Sequence, residues 1–268
     1  LRSNPDYKGL MLTISEALEK ANKNTLLISV DNHKDSLAIS RSVLDKVKNK
    51  VIIDHHRRSE EFISSPVLTY LEPSASSTVE LLVELFDYQQ HEIEISSLDA
   101  TIMYTGMLVD TNYFRQHVGT RTFQSAAKLK EAQADLSLAY ELLEDSFECM
   151  KEIFDITESA YCYKDKFLIA TGKDEELSRS TLAKAANQLV YVSGIYAAFA
   201  IGYISKNTVA ISARSSKKVN VQMIMENDAL HGGGHFSMAA CQIENVTIEE
   251  AKERLEHAID AYLEDRGV

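Results

Sequence analysis

Short, uninterrupted apolar runs punctuate the first part of the chain, and each ends in a carboxylate. Residues 25–30 (Thr-Leu-Leu-Ile-Ser-Val) stop at Asp31, and Val51-Ile52-Ile53 stops at Asp54. Runs of β-formers without polar alternation predict strands buried on both faces, as in a parallel sheet. Between them residues 36–47 follow a helical period, and a further helical segment, 10–20, precedes the first strand. This strand–helix–strand unit has about the ~30 residues that a right-handed parallel crossover needs. Asp31 and Asp54 are therefore expected at the same ends of two neighbouring parallel strands.

Residues 67–71 predict another strand. Ser77-Thr78-Val79-Glu80 then predicts a helix opened by a capping box, with Val79, Leu82, Val83 and Phe86 as its core stripe. The next helix carries Leu98, Ile102, Thr105 and Val109 on one face and ends near Asp110. A carboxylate there meets the negative end of the helix dipole, at a cost of about 0.3–1 kcal/mol. A metal ion would offset that cost; solvent screening of an exposed side chain is the alternative. Helices are also predicted over 120–131, 136–143 and 147–159.

Near residue 161 the pattern changes. Strands are predicted at 167–171, 195–204 and 209–214, with helices between and after them. A closing helix starts at the capping box Thr247-Ile248-Glu249-Glu250, and Ala251, Leu255, Ala258 and Tyr262 recur at core spacing. All three prolines precede residue 75, so no Gly/Pro linker separates the halves. The expected class is α/β: a parallel-sheet domain over 1–145, a helical linker over 146–160, and a smaller α/β domain over 161–268.

The 268 residues, 45% hydrophobic and 25% charged, suffice for two such cores. No apolar run reaches the length of a membrane span; the nearest, 195–204, is strand-sized. The opening Leu1-Arg2-Ser3-Asn4-Pro5 is polar and lacks an initiator Met, so it is no signal peptide and reads as cut from something longer. A net charge of −12 excludes a general nucleic-acid coat, because no basic stripe neutralises a long phosphate footprint. Cys149, Cys162 and Cys241 share no metal or redox spacing and read as buried thiols in a reducing compartment.

Two clusters carry chemistry. In Val51-Ile52-Ile53-Asp54-His55-His56-Arg57-Arg58 the polar residues fall at a strand's carboxyl end, where open α/β sheets place ligands. Carboxylate and imidazole together suit a divalent transition metal, and the arginines suit a phosphate. A polar loop with solvated histidines is the alternative. In the second cluster Ile211-Ser212-Ala213-Arg214-Ser215-Ser216 closes a strand, and His231-Gly232-Gly233-Gly234-His235 follows. Three glycines fit a place where a phosphate or base approaches bare backbone N–H groups, and equally a tight turn. With Arg214 upstream and His235 beside them, the loop reads as an anion or nucleotide clamp.

Val30-Asp31, Ile53-Asp54-His55-His56-Arg57-Arg58, Val109-Asp110-Thr111-Asn112 and Gly232-Gly233-Gly234-His235 resemble successive motifs of the DHH–DHHA1 phosphoesterase superfamily. Within it, Arg57-Arg58-Ser59-Glu60-Glu61-Phe62, Pro73-Ser74-Ala75-Ser76-Ser77 and Ser212-Ala213-Arg214-Ser215 resemble GdpP-type cyclic-di-AMP phosphodiesterases. The ordered set covers essentially the whole chain and is far more specific than the Asp-His-His tripeptide alone.

The resemblance implies a parallel-sheet DHH domain, a smaller DHHA1 domain and a site for two Mn²⁺ ions. By that likeness Asp31 bridges the metals, His55 and Asp110 ligate one of them, His56 faces the scissile phosphate, and Asp54 orients the histidines. Arg214 and the loop Gly232, Gly233, Gly234, His235 hold substrate from the smaller domain. The implied reaction is hydrolysis of cyclic di-AMP to linear pApA by a longer, membrane-anchored parent whose catalytic part faces the cytoplasm, as a homodimer. A short-oligonucleotide phosphodiesterase, an inorganic pyrophosphatase and a non-catalytic nucleotide-binding module are the alternatives. The sequence departs from the family where a His-x-x-x-Asp-x-Asp motif should precede the second strand. No histidine lies upstream of Asp31 and Asp6 stands alone, so the first strand, half the metal ligands and the catalytic competence of this stretch are expected to be missing. His231 is a smaller departure, standing where relatives extend the glycine run.

Overall fold

The computed structural model describes residues 7, 10–89, 94–216 and 218–266. Asp6 and the polar opening lie outside them. The chain divides into two compact units, Leu1–Glu144 and Asp145–Val268.

The first unit runs α1 (Ile14–Lys20), β1 (Leu26–Val30), α2 (Arg41–Lys46), β2 (Asn49–Asp54), β3 (Leu68–Leu71), α3 (Thr78–Phe86), α4 (Ser97–Asp110), α5 (Thr120–Glu131) and α6 (Leu136–Glu141). The three strands form a parallel sheet in the order β1-β2-β3, with Val30 opposite Ile53 and Asp54 opposite Leu71. Asp31 N–H donates to the Ile53 carbonyl at 2.9 Å, so the ladder carries on to the first acid. One sheet face buries Ile52 with Leu44 and Ile63; the other buries Ile53 with Ala75 and Leu81 of α3.

Several elements depart from the pattern reading for local reasons. α2 is shorter than the expected 36–47 because both Ser36 N–H and its hydroxyl donate to the Glu61 carboxylate, holding that stretch as loop until Ser40 caps the helix. Ser77 does cap α3, accepting from Val79 N–H at 3.2 Å. The capping box does not form, because the Glu80 carboxylate is taken by Ser76 and by the Thr122 hydroxyl of α5. α3 also buries a residue outside its expected stripe: Leu81 faces the sheet while Val83 faces α4. In α4 the buried face is Ala100, Tyr104, Met107 and Leu108, and Val109 is exposed. That helix is apolar on most sides, so periodicity alone could not fix its rotation.

The second unit runs α7 (Phe147–Glu158), β4 (Tyr161–Tyr163), β5 (Phe167–Thr171), α8 (Arg179–Leu189), β6 (Ala197–Ser205), β7 (Thr208–Ser215), α9 (Val221–Met225), β8 (Gly233–Gly234), β9 (Met238–Glu244) and α10 (Ile248–Glu264). Its sheet has the order β4-β5-β6-β7-β9-β8; β5 and β6 are parallel and the other neighbours antiparallel. Helices cover both faces. Residues 146–160, expected as a helical linker, contain α7, whose Ile153 and Ile156 are buried against Leu182 and Ala185 of α8. α10 forms the capping box at Thr247 and Glu250 and buries Ala251, Leu255, Ala258 and Tyr262, as its spacing predicts. All three cysteines are free, but Cys162 is exposed and Cys149 half-buried; only Cys241 is a buried thiol. Among the described residues no helix is long and apolar enough to cross a membrane.

Candidate metal centre and anion-binding face

Parallel pairing of β1 with β2 puts Asp31 and the Asp54-His55-His56 run at the same sheet end. Asp31 has the left-handed backbone (φ 61°), a conformation that turns the chain sharply at the strand's close. Its Oδ1 accepts from the Thr78 hydroxyl at 2.8 Å and lies 3.4 Å from His55 Nε2 and 3.8 Å from His56 Nδ1. Asp31, His55 and His56 each offer a ligand atom within 4.8 Å of the others. A carboxylate and two imidazoles at that spacing fit a borderline divalent metal, and the absence of thiolate argues against a structural zinc site.

The supporting contacts set the histidine tautomers. His55 Nδ1–H donates to the Ala75 carbonyl at 3.3 Å, which frees the Nε2 lone pair on the Asp31 side. His56 Nδ1–H donates to Asp54 Oδ1 at 2.7 Å, and its backbone N–H reaches the same oxygen at 3.1 Å. Asp54 is fully buried, and its second oxygen accepts from His33 Nδ1 at 2.5 Å. Burial alone would raise the Asp54 carboxyl, but the bonds from His56 and His33 outweigh it and hold the group well below the usual carboxylate range. The same bond to Asp54 raises His56 above its ordinary value against the opposing effect of burial.

Asp54 thus holds His56, and the expectation that it orients both histidines of the motif is corrected: its other partner is His33, while His55 is held from the Ala75 loop. His33 escaped the sequence reading because Asp31-Asn32-His33-Lys34 looks like a polar turn. Its ring is 1% exposed, packs on Phe62, and places Nε2 3.2 Å from the Ser59 hydroxyl. Asp110 closes α4, near enough for Asp31, His55 and His56 to act on its charge. Burial is the chief cause that raises its carboxyl, and Asp31 adds to it, against lowering by Ser77 and His55. A partly desolvated acid beside another acid is what a bound cation would relieve.

In the second unit Arg214 extends from β7. Its Nε donates to Asn187 Oδ1 of α8 at 3.0 Å, and Nη1 donates to the Ala213 carbonyl at 2.8 Å and the Ser212 hydroxyl at 3.3 Å. These acceptors are all neutral, and among the described residues no carboxylate pairs with Arg214. Burial lowers its pKa, so the guanidinium is a desolvated cation without a counter-charge. It lines a cavity of about 310 Å³ with Ser212, Gly233 and Gly234. Asn187 was not a sequence candidate: it is half-buried, lies outside the face of α8 that buries Leu182, Ala185, Ala186 and Leu189, and carries no local signal.

The three glycines divide by role. A Cβ on Gly232 would stand 2.5 Å from the Ala240 carbonyl oxygen and 2.6 Å from Cys241 Cβ, and Gly234 has φ +149° with Met238 and Ala239 in the way. Close approach to β9 therefore accounts for both. Gly233 alone meets nothing within 4 Å and faces open space. His235 is exposed and starts the turn into β9, exchanging backbone bonds with Met238.

Residues 3–107 match the model for the DHH family, N-terminal domain, and residues 164–265 match that for the DHHA1 domain. The chain is 42% identical, over 97% of its length, to the cyclic-di-AMP phosphodiesterase PdeA of Listeria monocytogenes, covering 42% of that protein. It is 42% identical over 94% of its length to the cyclic-di-AMP phosphodiesterase GdpP of Bacillus subtilis, covering 38% of it. It therefore spans about two-fifths of these curated relatives. Among solved structures it resembles an exopolyphosphatase-related protein from Bacteroides fragilis, with a TM-score of 0.79, 21% identity, and coverage of 91% of this chain and 73% of the other; that likeness concerns the fold.

Proposed function

Because the chain belongs to the DHH–DHHA1 phosphoesterase family, we propose that it is the catalytic part of a metal-dependent phosphodiesterase that hydrolyses cyclic di-AMP to linear pApA. The observation that carries this reading is the Asp31, His55 and His56 cluster at the carboxyl end of a parallel sheet. The names of the two relatives supply the substrate class.

Bound Mn²⁺, two ions in a complete site, would supply the Lewis acidity that offsets the diester's charge and activates a water. Asp31, His55 and Asp110 would hold the metal in this reading. His56, held through Nδ1 by Asp54, turns its other nitrogen to the scissile phosphate. Arg214 and Gly233 bind substrate: the guanidinium gains the counter-charge it lacks, and the open glycine lets the ligand reach backbone. His235, and Gly232 and Gly234 through the loop's shape, belong to the same clamp. The two-metal reading also requires ligands from a His-x-x-x-Asp-x-Asp motif, which this sequence does not contain. The working protein is read as a homodimer whose longer parent is membrane-anchored, with this part on the cytoplasmic side.

The test is chromatography of products from cyclic di-AMP, and from linear dinucleotides, with and without Mn²⁺. Cleavage of the cyclic compound that disappears in Asp31→Asn supports the reading. Cleavage of linear dinucleotides alone would replace it with the oligonucleotide alternative, and saturable binding without turnover, in a chain that includes the upstream motif, with the non-catalytic one.

A further inference from the structure

The second unit has another concave surface, on the opposite side of its sheet from Arg214. Alternation along the strands sorts Phe167, Phe199 and Ile211 under α9 and α10, and Ala170, Ala198 and Ala210 under α7 and α8. Arg214 shares the side of Ala210 and meets Asn187 of α8. The other cavity lies on the α10 side. It measures about 760 Å³, and Lys164, Lys166, Lys218, Arg266, Tyr196 and Tyr262 stand in its wall.

Charge makes this wall unusual for the chain. The protein carries −12 overall, yet four cations here face only two acids, Asp260 and Glu264. Asp260 pairs with Lys164 at 3.2 Å and also accepts from the Tyr163 hydroxyl at 3.0 Å, so it is already used. Lys166 and Lys218 have no ion pair among the described residues. Their ammonium groups stand over the same Tyr196 ring, 5.0 and 4.4 Å from its centroid. Arg266 lies over Tyr262 at 4.6 Å. Two like charges gathered on one ring repel, and a cation–π contact at an exposed site returns only about 0.5–1 kcal/mol. An anion between them turns that repulsion into attraction.

We propose that this pocket binds an oligophosphate chain, free or carried by a nucleotide, at a site separate from the Arg214 cavity. One carboxylate cannot serve Lys166, Lys218 and Arg266 together, whereas a triphosphate presents several charged oxygens along a short chain. Lysines bind phosphate as point charges and need no fixed bidentate geometry. The volume falls within the ~300–1,000 Å³ of small-molecule sites, and the tyrosines give it apolar walls.

Calorimetric titration of the chain with sodium tripolyphosphate, in chelator and at low ionic strength, tests this. Saturable binding is expected that weakens at least about tenfold in K166E/K218E, the loss of two charge-assisted contacts. The neutral pair K166Q/K218Q should fall between. Thermal melting confirms that the variants fold. Absence of saturable binding, or equal affinity in K166E/K218E, would each overturn the proposal. ATP titrated in parallel identifies the source: tighter binding than tripolyphosphate marks a nucleotide site, and equal binding a site for the phosphate chain alone, both in support.

Discussion

His33 Nδ1 donates to Asp54 Oδ2 at 2.5 Å inside the first unit, where the two side chains are 1% and 0% exposed. The pair joins the ends of β1 and β2 beneath the candidate metal centre. Because Asp54 also holds His56, His33 fixes one side of the carboxylate whose other side aims a site residue. His33→Ala should leave that buried oxygen without a partner and lower stability by roughly 3 kcal/mol. It should also reduce turnover more than substrate affinity, since it touches the site only through Asp54. Denaturant unfolding and steady-state kinetics check both. Wild-type stability together with wild-type kcat would reduce the contact to an incidental one.

Arg214 and Asn187 make a second pair with an ordered expectation. Arg214→Ala should raise KM for cyclic di-AMP by about 10- to 100-fold, as loss of a charge-assisted contact worth about 1.5–3 kcal/mol implies. Asn187→Ala keeps the cation but frees its Nε end, so a smaller rise in KM at little-changed kcat is expected. An Asn187 effect as large as that of Arg214, or confined to kcat, would contradict a positioning role.

The glycine loop separates packing from binding. Gly232→Ala forces a Cβ against the Ala240 carbonyl and should lower the melting temperature. Gly233→Ala has open space around it and should fold normally while weakening nucleotide binding. Normal binding by Gly233→Ala would leave this loop with the tight-turn explanation alone.

Parts of this were legible in the sequence for physical reasons. Apolar runs ending in Asp31 and Asp54 report parallel strands whose carboxyl end is where the first cluster assembles, but only β2 is buried on both faces; β1 leaves Leu26, Ile28 and Val30 exposed, against the expectation. β9 escaped because Ala239 and Cys241 are small, and only Ile243 in its buried alternation is a strong β-former. The rotation of α4 was hidden by apolar residues on several faces. His33 and Asn187 escaped because each acts through a partner distant in sequence, Asp54 and Arg214, which local pattern does not reveal. The glycine run signalled an unusual backbone correctly, but not that two of its members serve β9.

Cys241 gives a pH-dependent expectation away from the metal centre. Burial is the chief cause that pushes its thiol from 9.0 to about 12. A folded value above the unfolded one means that the stability it contributes is complete below about 9 and is lost as pH rises through the folded value. Over that window the unfolded chain releases a proton that the folded chain keeps, a slope of about 1.4 kcal/mol per pH unit at most. Cys241→Ala should therefore lose stability less steeply between pH 9 and 11 in denaturant titrations. Parallel curves for the two proteins would show that the thiol ionises alike in both states.

The metal set gives the last expectation. Asp31, His55 and His56 offer ligand atoms close enough for one ion, and the proposed reading adds Asp110 to Asp31 and His55. The second ion of a two-metal displacement lacks its own histidine and carboxylates within these residues. With one cation, either the attacking or the departing oxygen loses its electrostatic support. A few kcal/mol lost there lowers the rate by roughly 10²–10³-fold. On the two-metal reading, a chain extended upstream through His-x-x-x-Asp-x-Asp should cleave cyclic di-AMP faster than residues 1–268 by that factor. His55→Ala should raise the Mn²⁺ concentration needed for half-maximal activity in the extended chain, and Asp31→Asn should cut turnover far more than it weakens dinucleotide binding. Equal rates for the two chains in excess Mn²⁺ would show that the site is complete without the upstream motif, and the two-metal assignment would fall.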